Sequence, residues 1–275
     1  MSRAVPARLH VLLARDAATA VVIRRGPSRH VAVIGWDRAS DCFSVGQWLY
    51  GRIYERRCDL SPDGKHLLYF AMNGRWHTRV KGSWTAISRA PYLKALTLLA
   101  KGDCWNGGGL FLSAREYWLN GGDCHELLED QSSLRRSNEY PWRESYGGEC
   151  PGVYYIRLQR EGWELKNRYG AQGDSVTVFE KRVGDRWVLR KLAHETVSHP
   201  VGRGCYFDEH QLLDARDQST RELPTWEWAD VDRRRLVWAE EGSLFTGSLR
   251  GRGLTDTRQL YDFNPLRFER IQAPY

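Results

Sequence analysis

One sequence pattern occurs twice in this 275-residue chain, at positions far apart, and this repetition limits the folds that the chain can adopt. Residues 59–71 read Asp-Leu-Ser-Pro-Asp-Gly-Lys-His-Leu-Leu-Tyr-Phe-Ala, a polar turn followed by a short apolar and aromatic run. Pro62 presets φ, Asp63 can bond its own backbone, and Gly64 tolerates a positive φ, so the first half predicts a tight turn. The second half is typical of a strand that is buried on both faces.

A second copy of this pattern occupies 229–249. An acidic segment precedes the apolar run 236–239, Glu241-Gly242 supplies a turn, and the residues after it predict a return strand. In the first copy, Asn73-Gly74 predicts a two-residue hairpin turn with a return strand over 76–80. Both copies therefore predict antiparallel hairpins.

The apolar runs recur at a near-constant spacing. Leu110 lies 42 residues after Leu68, Tyr154 lies 44 residues after Leu110, and Val237 follows after 83 more, close to two further steps. A period of about 40 to 45 residues is typical of a four-stranded propeller blade. The residues expected at equivalent inner positions of successive sheets are Leu68, Tyr69, Leu110, Tyr154, Val237 and Trp238.

The Ser-Pro-Asp-Gly turn and the strand after it resemble the repeats of β-propeller proteins and, more loosely, those of the WD-repeat family. The resemblance rests on 59–71, with 229–249 as a weaker match, and it covers well under a fifth of the chain. Leu60 stands where many such repeats carry Trp, and no Gly-His…Trp-Asp signature occurs. The resemblance implies a blade shape only, and no particular activity. Five or six blades fit the chain length and the period, so we expect an all-β chain of antiparallel sheets in a single domain over 1–275. A mainly-β sandwich or barrel with similar turns is the alternative.

Composition agrees with a mainly-β chain. The sequence has 12 Trp and 13 Tyr, which favour strands, and helical periodicity is scarce. The best helix candidates are 90–96, whose continuation reads equally well as a strand, and 125–134, which lacks a clear apolar face. We therefore expect less than a tenth of the chain to be helical.

The sequence predicts neither a secretory leader nor a membrane span. The apolar run 9–14 is too short for a leader and is followed at once by Arg15-Asp16. No run approaches the roughly 18 apolar residues that a span needs. We expect a cytoplasmic protein with no membrane partner, and the predominance of Arg over Lys suggests a bacterial source with a GC-rich genome.

The richest set of metal-ligand residue types comprises Cys104, Cys124, His125 and Cys150. These residues could form a Cys3His zinc site, but zinc ligands usually come in close pairs and these are widely spaced. Without a leader, thiols are the expected state of cysteine. We therefore expect six free thiols, no metal and no cofactor.

No catalytic motif is recognisable. His194 and His199 are five residues apart and Pro200 follows them, whereas a zinc protease needs its histidines four apart on one helical face. The glycine run 107–109 has no Gly-Lys-Ser/Thr after it, so it predicts a loop between strands and not a phosphate site. No Ser, His and acid share a nucleophile motif.

The net charge of +7 raises the possibility of nucleic-acid binding. The basic clusters at 24–25, 56–57, 135–136 and 233–235 are scattered at predicted turns, and acids flank several of them. This pattern indicates an arginine-rich solvated surface. It argues against nucleic acid as the partner.

The strand pattern stops between Asn120 and Gly152, where Gly, Asp, Ser and Asn are frequent. We expect 120–152 to be a long loop or insertion, either functional or simply tolerated. Tyr, Trp and Arg crowd this region, and together they are typical of a protein-binding hot spot. Trp142 is the best candidate for an exposed anchor. The candidate binding residues are Trp105, Trp118, Arg135, Arg136, Tyr140, Trp142, Arg143 and Tyr146.

These observations favour a non-catalytic protein-interaction module whose partner is another protein. The alternatives are a hydrolase or lyase acting on a glycan or small molecule, and a binder of polyanions or sugars. An enzyme should gather titratable groups in one concave site, and an interaction module should expose an aromatic patch. A polyanion binder should show one continuous positive face.

Overall fold

The computed structural model describes residues 5–27, 29–146, 149–199, 204–251 and 253–275. Strands account for 54% of the chain and helix for 6%. The predictions of a mainly-β chain and of less than a tenth helix are confirmed. The described strands form five sheets, and in four of them every strand pair is antiparallel.

The chain forms two compact units, and each is built from two separate segments. The larger unit comprises His10–Arg157 and Leu266–Tyr275, whereas the smaller unit comprises the residues up to Leu9 and Leu158–Pro265. The chain therefore leaves the larger unit once and returns to it.

The first sheet is a meander of successive hairpins, in the order β1-β2-β3-β4. Its strands are β1 (Arg8–Leu13), β2 (Thr19–Arg25), β3 (His30–Asp37) and β4 (Cys42–Tyr50). The apolar runs of β2 and β3 are almost completely buried, and Val21, Ile23, Val31 and Val33 pack in one core with Leu67 and Tyr69. That core joins the first sheet to the second.

The second sheet has the order β12-β9-β8-β7-β5, and β6 also pairs with β7. Its strands are β5 (Arg52–Ile53), β6 (Asp59–Leu60), β7 (His66–Met72), β8 (Ser83–Arg89), β9 (Ala95–Ala100) and β12 (Glu126–Asp130). The turn predicted before β7 is confirmed. The Ser61 hydroxyl donates to Asp63 Oδ1 at 2.6 Å, and Gly64 has a φ of 72°.

Two local predictions in this sheet are wrong. Asn73-Gly74 does not make a two-residue turn, because the amides of both residues bond the carbonyl of Gly82 and the loop between β7 and β8 spans 73–82. Trp76 packs over Gly82, where a Cβ would lie 2.4 Å from its ring, so 76–80 is loop and not strand. Of the helix candidates, 90–96 instead contains a turn and the start of β9, and 125–134 contains β12 and irregular backbone.

The third sheet contains a parallel strand pair, contrary to the prediction of purely antiparallel sheets. Its strands are β10 (Gly109–Ser113), β11 (Glu116–Leu119) and β13 (Arg135–Ser137), and β13 runs parallel to β11. The reason is the route of the chain. After β11 it leaves to form β12 in the second sheet and then returns beside β11 in the same direction.

The one α-helix of the described residues is α1 (Pro151–Arg160), and its position corrects the prediction for Tyr154. The segment 153–156 was expected to be an inner strand. Pro151 is tolerated at the first helical position, and every residue from 151 to 158 is buried. A short apolar run that is buried all round has no periodicity to separate helix from strand.

The smaller unit contains two antiparallel meanders, β14 to β18 and β19 to β22. The strands of the first are β14 (Glu164–Ala171), β15 (Asp174–Val183), β16 (Trp187–Thr196), β17 (Tyr206–Asp214) and β18 (Thr220–Glu222). Those of the second are β19 (Trp226–Asp232), β20 (Arg235–Glu240), β21 (Ser243–Arg250) and β22 (Gly253–Asp262). The predicted Glu241-Gly242 turn between β20 and β21 is confirmed, with φ angles of 47° and 76°.

The predicted inner residues Leu68, Leu110 and Val237 are fully buried in β7, β10 and β20. β22 stops at Asp262, and 263–275 contains no strand. Within the described residues, no helix is long and apolar enough to cross a bilayer.

Candidate functional site

The segment 120–152 is not one loop. It contributes β12 to the second sheet and β13 to the third, and it includes a short 3-10 turn at Gly122–Cys124. Both strands are largely exposed and polar, so they lack the apolar alternation by which a strand is identified in a sequence. Gly147 and Gly148, which were expected to be loop residues, lie outside the described residues.

Three of the candidate binding residues pack together as an aromatic triangle, formed by Trp118, Tyr140 and Trp142. Their ring centroids are 5.2 Å (Trp118–Tyr140), 5.6 Å (Trp118–Trp142) and 5.4 Å (Tyr140–Trp142) apart, with interplanar angles of 69° to 79°. This edge-to-face arrangement is one that aromatic pairs prefer. The rings therefore hold one another in a fixed geometry.

The aromatic triangle is partly sunk into the larger unit. Trp118 and Trp142 are half-buried against the core residues Leu110, Val153 and Ile156, and Tyr140 remains 37% exposed. Trp142, predicted as the best candidate for an exposed anchor, is therefore only partly exposed. Its ring rests on α1 because apolar surface is available there once 151–160 folds as a helix.

Tyr146 continues the same surface. It packs against the same core, and its ring centroid lies 5.3 Å from that of Tyr155 on α1. The Tyr140 hydroxyl donates to the carbonyl of Glu144 at 2.5 Å, which closes the segment 140–144 on itself. Burial raises the pKa of Tyr140, so its hydroxyl remains a donor at neutral pH.

The three candidate arginines differ in their surroundings. Arg135 Nη2 lies 2.9 Å from Glu116 Oε1, and Arg136 Nη2 lies 3.9 Å from Asp123 Oδ1. Arg143 is exposed beside Trp142 in the sequence. Arg143 is thus the arginine of this set best placed to meet a partner.

Trp105 lies on the loop between β9 and β10, outside the ring contacts described for the triangle, and its side chain is 63% exposed. Asp103 shapes this loop by accepting the Trp105 amide at 2.8 Å and the ammonium group of Lys101 at 2.7 Å. The loop therefore holds Trp105 out from the surface.

A buried arginine that sequence reasoning placed on the surface holds this loop. Arg57, 1% exposed, donates through Nη1 to the carbonyls of Cys104, at 2.7 Å, and of Asn106. Its Nη2 pairs with the Glu149 carboxylate, and its Nε lies 3.4 Å from Cys150 Sγ. Arg57 thus ties both neighbours of Trp105 to the segment that enters α1.

The glycine run 107–109 has a structural purpose next to Arg57. A Cβ at Gly108 would lie 1.9 Å from the Arg57 carbonyl oxygen, and one at Gly107 would lie 2.4 Å from the Phe70 ring. Both glycines have positive φ. The predicted loop between strands is present, and the glycines are required for its close packing.

Burial of arginine also corrects the prediction of an arginine-rich solvated surface. Arg24, Arg56 and Arg57 are between 1% and 6% exposed. The guanidinium groups of Arg56 and Arg57 lie 4.6 Å and 4.7 Å from the ring centroids of Tyr154 and Tyr54. A planar, weakly hydrated guanidinium can stack on aromatic faces inside a protein, which lysine does less well.

The four possible zinc ligands are not brought together. Cys104 and Cys124 are exposed free thiols, and Cys150 is a buried one. His125 Nε2 lies 2.9 Å from the Thr85 hydroxyl and its Nδ1 lies 3.2 Å from the Gly121 carbonyl, while burial lowers its pKa to about 4. Among the described residues, no group of three or more His, Cys, Asp or Glu could hold a metal ion.

The smaller unit holds an ionic cluster that sequence reasoning missed. It consists of Lys181, Lys191, Asp208, His210 and Asp230. Lys181 Nζ lies 2.7 Å from Asp230 Oδ1, and Lys191 Nζ lies 3.8 Å from Asp208 Oδ2. The Trp163 ring lies beneath both ammonium groups, 5.6 Å from Lys181 Nζ and 4.7 Å from Lys191 Nζ. The indole Nε1 donates to Asp230 Oδ2 at 3.1 Å.

This cluster could have been recognised from alternation. In β16 and β17 every second residue is buried, and that buried series contains Lys191, Glu195, Asp208 and His210. Charged residues at the inward positions of a strand are unusual, because burial of charge is costly unless it is paired. The signal was available but is easily mistaken for an exposed strand.

The electrostatics of the ionic cluster keep its histidine neutral. Burial, with help from Lys191, lowers the pKa of His210 to about 3. Its Nδ1 lies 3.1 Å from the Trp226 carbonyl, so Nδ1 carries the proton, and Nε2 is buried with no hydrogen-bond partner among the described groups. Burial would raise the pKa of Asp230, but Lys181 and Lys191 hold it below its usual range. The cluster thus combines two paired carboxylates with a free imidazole lone pair.

Comparison with known proteins identifies no family. No protein-family model matches this sequence, and no curated protein matches it. Among solved structures, hydrazine synthase of Kuenenia stuttgartiensis is similar with a TM-score of 0.30 and 10% sequence identity, over 90% of this chain and 78% of that one. A similarity at that level carries no argument about fold or function.

Proposed function

We propose that this chain is a non-catalytic protein-interaction module whose five sheets are the blades of one small propeller. Support comes from the hairpin connections within the sheets and from the spacing of 42 residues between the buried Leu68 of β7 and Leu110 of β10. A propeller presents loops on a rigid frame, which suits recognition.

The observation that carries the proposal is the aromatic triangle with its neighbours. Trp118, Tyr140 and Trp142 lock one another in place, and Arg143 is exposed next to them. Fixed aromatic groups beside an arginine make strong anchors, because little side-chain freedom is lost when a partner binds. Another protein with acidic groups around an apolar patch is the partner that this surface fits.

Trp105 is the second anchor in this proposal. Its ring is mostly exposed, but the carbonyls on both sides of it are held by Arg57. Such a residue combines apolar area with a backbone that is already ordered. Loss of Trp105 should therefore weaken partner binding without affecting the core.

The test is capture of partners from the native host with the full chain, followed by mass spectrometry. Two double variants, Tyr140→Ala with Arg143→Ala and Trp142→Ala with Arg143→Ala, should lose partners that the wild type retains. Tyr169→Ala, which removes a 49% exposed aromatic residue of the smaller unit, is the matched control and should retain them. If both double variants fold normally and keep every partner, this surface is not the recognition site.

A second candidate function rests on the ionic cluster. The free Nε2 of His210, near paired Lys and Asp side chains, is what a hydrolase, a lyase or a binder of a small polar molecule would need. A screen for ligands that raise the melting temperature tests this. A compound that stabilises the wild type but not His210→Gln or Lys191→Met would favour the second candidate over the first.

A further inference from the structure

The segment 266–275, here called the return segment, brings the chain back to the larger unit after the whole of the smaller one. It contains no strand, and the described backbone hydrogen bonds outside helices and strands include none from it. Most of its residues are exposed, whereas Ala273 is buried and Leu266, Ile271 and Tyr275 are half-buried. It lies on the larger unit as a bound peptide would.

Tyr275 is the best-held residue of the return segment. Its hydroxyl donates to the Lys94 carbonyl at 2.6 Å and accepts the Arg89 amide at 3.0 Å. The Arg89 guanidinium and the Lys94 ammonium lie 4.8 Å and 5.2 Å from its ring centroid, and Lys94 also bonds its carbonyl oxygen. Tyr92 adds an edge-to-face contact at 6.2 Å. The turn 89–94 therefore contacts both the ring and the hydroxyl group of a tyrosine side chain.

Gln47 on β4 forms the other side of the groove. Its amide nitrogen donates to the Ile271 carbonyl at 2.8 Å, and its oxygen accepts the amides of Leu93 and Lys94 at 2.8 Å and 2.9 Å. The turn can approach β4 this closely because Gly46 has no side chain, since a Cβ there would lie 1.9 Å from the Pro91 carbonyl. The larger unit thus forms a groove that binds the backbone at Ile271 and the side chain of Tyr275.

Residues 263–264, which precede the return segment, are anchored in the smaller unit. Asn264 Oδ1 accepts the Ala7 amide at 2.9 Å, and Asn264 Nδ2 donates to the Glu241 carbonyl at 2.9 Å. Phe263 is fully buried. Release of 266–275 would therefore leave the smaller unit intact and break mainly side-chain contacts on the larger one. Segments held in this way belong to the low-stability end of a protein.

We propose that the groove between β4 and the turn 89–94 recognises an extended, tyrosine-bearing segment in trans, and that a second copy of this chain supplies it by exchanging 266–275. A second copy reproduces every contact of the first, so exchange costs little enthalpy. The closed monomer is favoured at low concentration because its own segment is tethered beside the groove. Binding in trans becomes dominant when a copy with an intact groove has a defective segment and another copy supplies an intact one.

The experiment uses two complementary full-length variants. Tyr275→Ala has an intact groove and a defective segment, whereas Arg89→Ala with Lys94→Ala has a defective groove and an intact segment. Arg89 and Lys94 are exposed, so their truncation leaves the core unchanged. Each variant alone should have the monomer mass in size-exclusion chromatography with light scattering, and an equimolar mixture at high micromolar concentration should show a species of twice that mass.

A triple variant that carries all three substitutions is the control, and mixing it with the groove variant should give no dimer. Tyr275→Phe keeps the ring but loses both hydroxyl bonds. A mixture of Tyr275→Phe with the groove variant should therefore also form dimer, in smaller yield than the mixture with Tyr275→Ala. The proposal is overturned if both Tyr275 variants are folded and their mixtures with the groove variant stay at the monomer mass. It is also overturned if the triple variant dimerises equally well.

Discussion

Replacement of Arg57 by methionine should be among the most destabilising single changes in the larger unit. Methionine keeps much of the apolar stem, so the effect isolates the guanidinium group. The change leaves the carbonyls of Cys104 and Asn106 without this donor and the Glu149 carboxylate without its cation. Because Glu149 is 20% exposed, the broken ion pair should cost about 3 kcal/mol, the lower end for buried pairs.

The two carbonyls add about 1 kcal/mol each when they lose a donor. The expected loss of about 4 to 5 kcal/mol in the free energy of unfolding is a large part of the roughly 5 to 15 kcal/mol that holds a folded domain. Arg57→Lys should lose about half as much, because an ammonium group keeps the charge but cannot reach three acceptors in the fork geometry of arginine.

Urea unfolding followed by tryptophan fluorescence measures these differences directly. The double variant Arg57→Met with Glu149→Gln should recover part of the loss, since a neutral amide costs less to bury than an unpaired carboxylate. Near-ultraviolet spectra should also show a changed environment for Trp105. If Arg57→Met unfolds within about 1 kcal/mol of the wild type, Arg57 does not hold the Trp105 loop in the way the contacts suggest.

Four further outcomes are expected. Leu68→Ala and Val237→Ala should each lower the free energy of unfolding by about 2 to 5 kcal/mol, and unchanged denaturation midpoints would mean that these residues are not core. Gly46→Ala should lower the melting temperature, because its Cβ would meet the Pro91 carbonyl, whereas Gly253→Ala in open space should not. Thiol titration of the denatured protein should find six free thiols, and elemental analysis should find no stoichiometric zinc. Stability should fall as pH drops from about 6.5 towards 4, because His125 and His210 have folded pKa values of about 4 and about 3 while unfolded imidazole takes up protons near 6.5. His125→Gln should reduce the slope of the profile in that range and leave the contribution of His210.

The elements predicted correctly are those in which local chemistry and burial agree. The turn before β7 needs Pro62, Asp63 and Gly64 in order, and the Glu241-Gly242 turn needs positive φ at both positions. Their flanking strands are continuous apolar runs. Such short turn and strand patterns depend little on tertiary contacts, so they can be identified from the sequence alone.

The errors come from interactions between residues that are distant in the sequence. Tyr154 lies in an apolar run that fits helix and strand equally, and Pro151 was the available signal for a helix start. β12 is polar because it is an exposed sheet edge. Arg57 is buried because the Cys104 and Asn106 carbonyls, Glu149 and Tyr54 all converge on it, and no local pattern announces that convergence.

The candidate site shows the same division. Composition drew attention to the aromatic residues around 118–146, and the structure brings three of them together. Composition alone does not reveal that Trp142 packs on α1 or that Trp105 belongs to another loop. The ionic cluster escaped notice because its members come from four strands, and one of these, β19, belongs to a different sheet from the other three.

Because each unit is built from two separate segments, neither unit can be completed until the ribosome has synthesised its second segment. The ribosome releases the smaller unit's first segment before any of the larger unit, and releases the return segment only after the whole of Leu158–Pro265. The groove between β4 and the turn 89–94 has been synthesised once residue 94 is added. At roughly 5 to 20 residues per second, it therefore stays empty for on the order of 10 to 30 s before the return segment is made. On a polysome, neighbouring nascent chains would carry empty grooves at the same time as a chain further along in synthesis presents its return segment. Translation is therefore the period in which pairing between copies is most favoured.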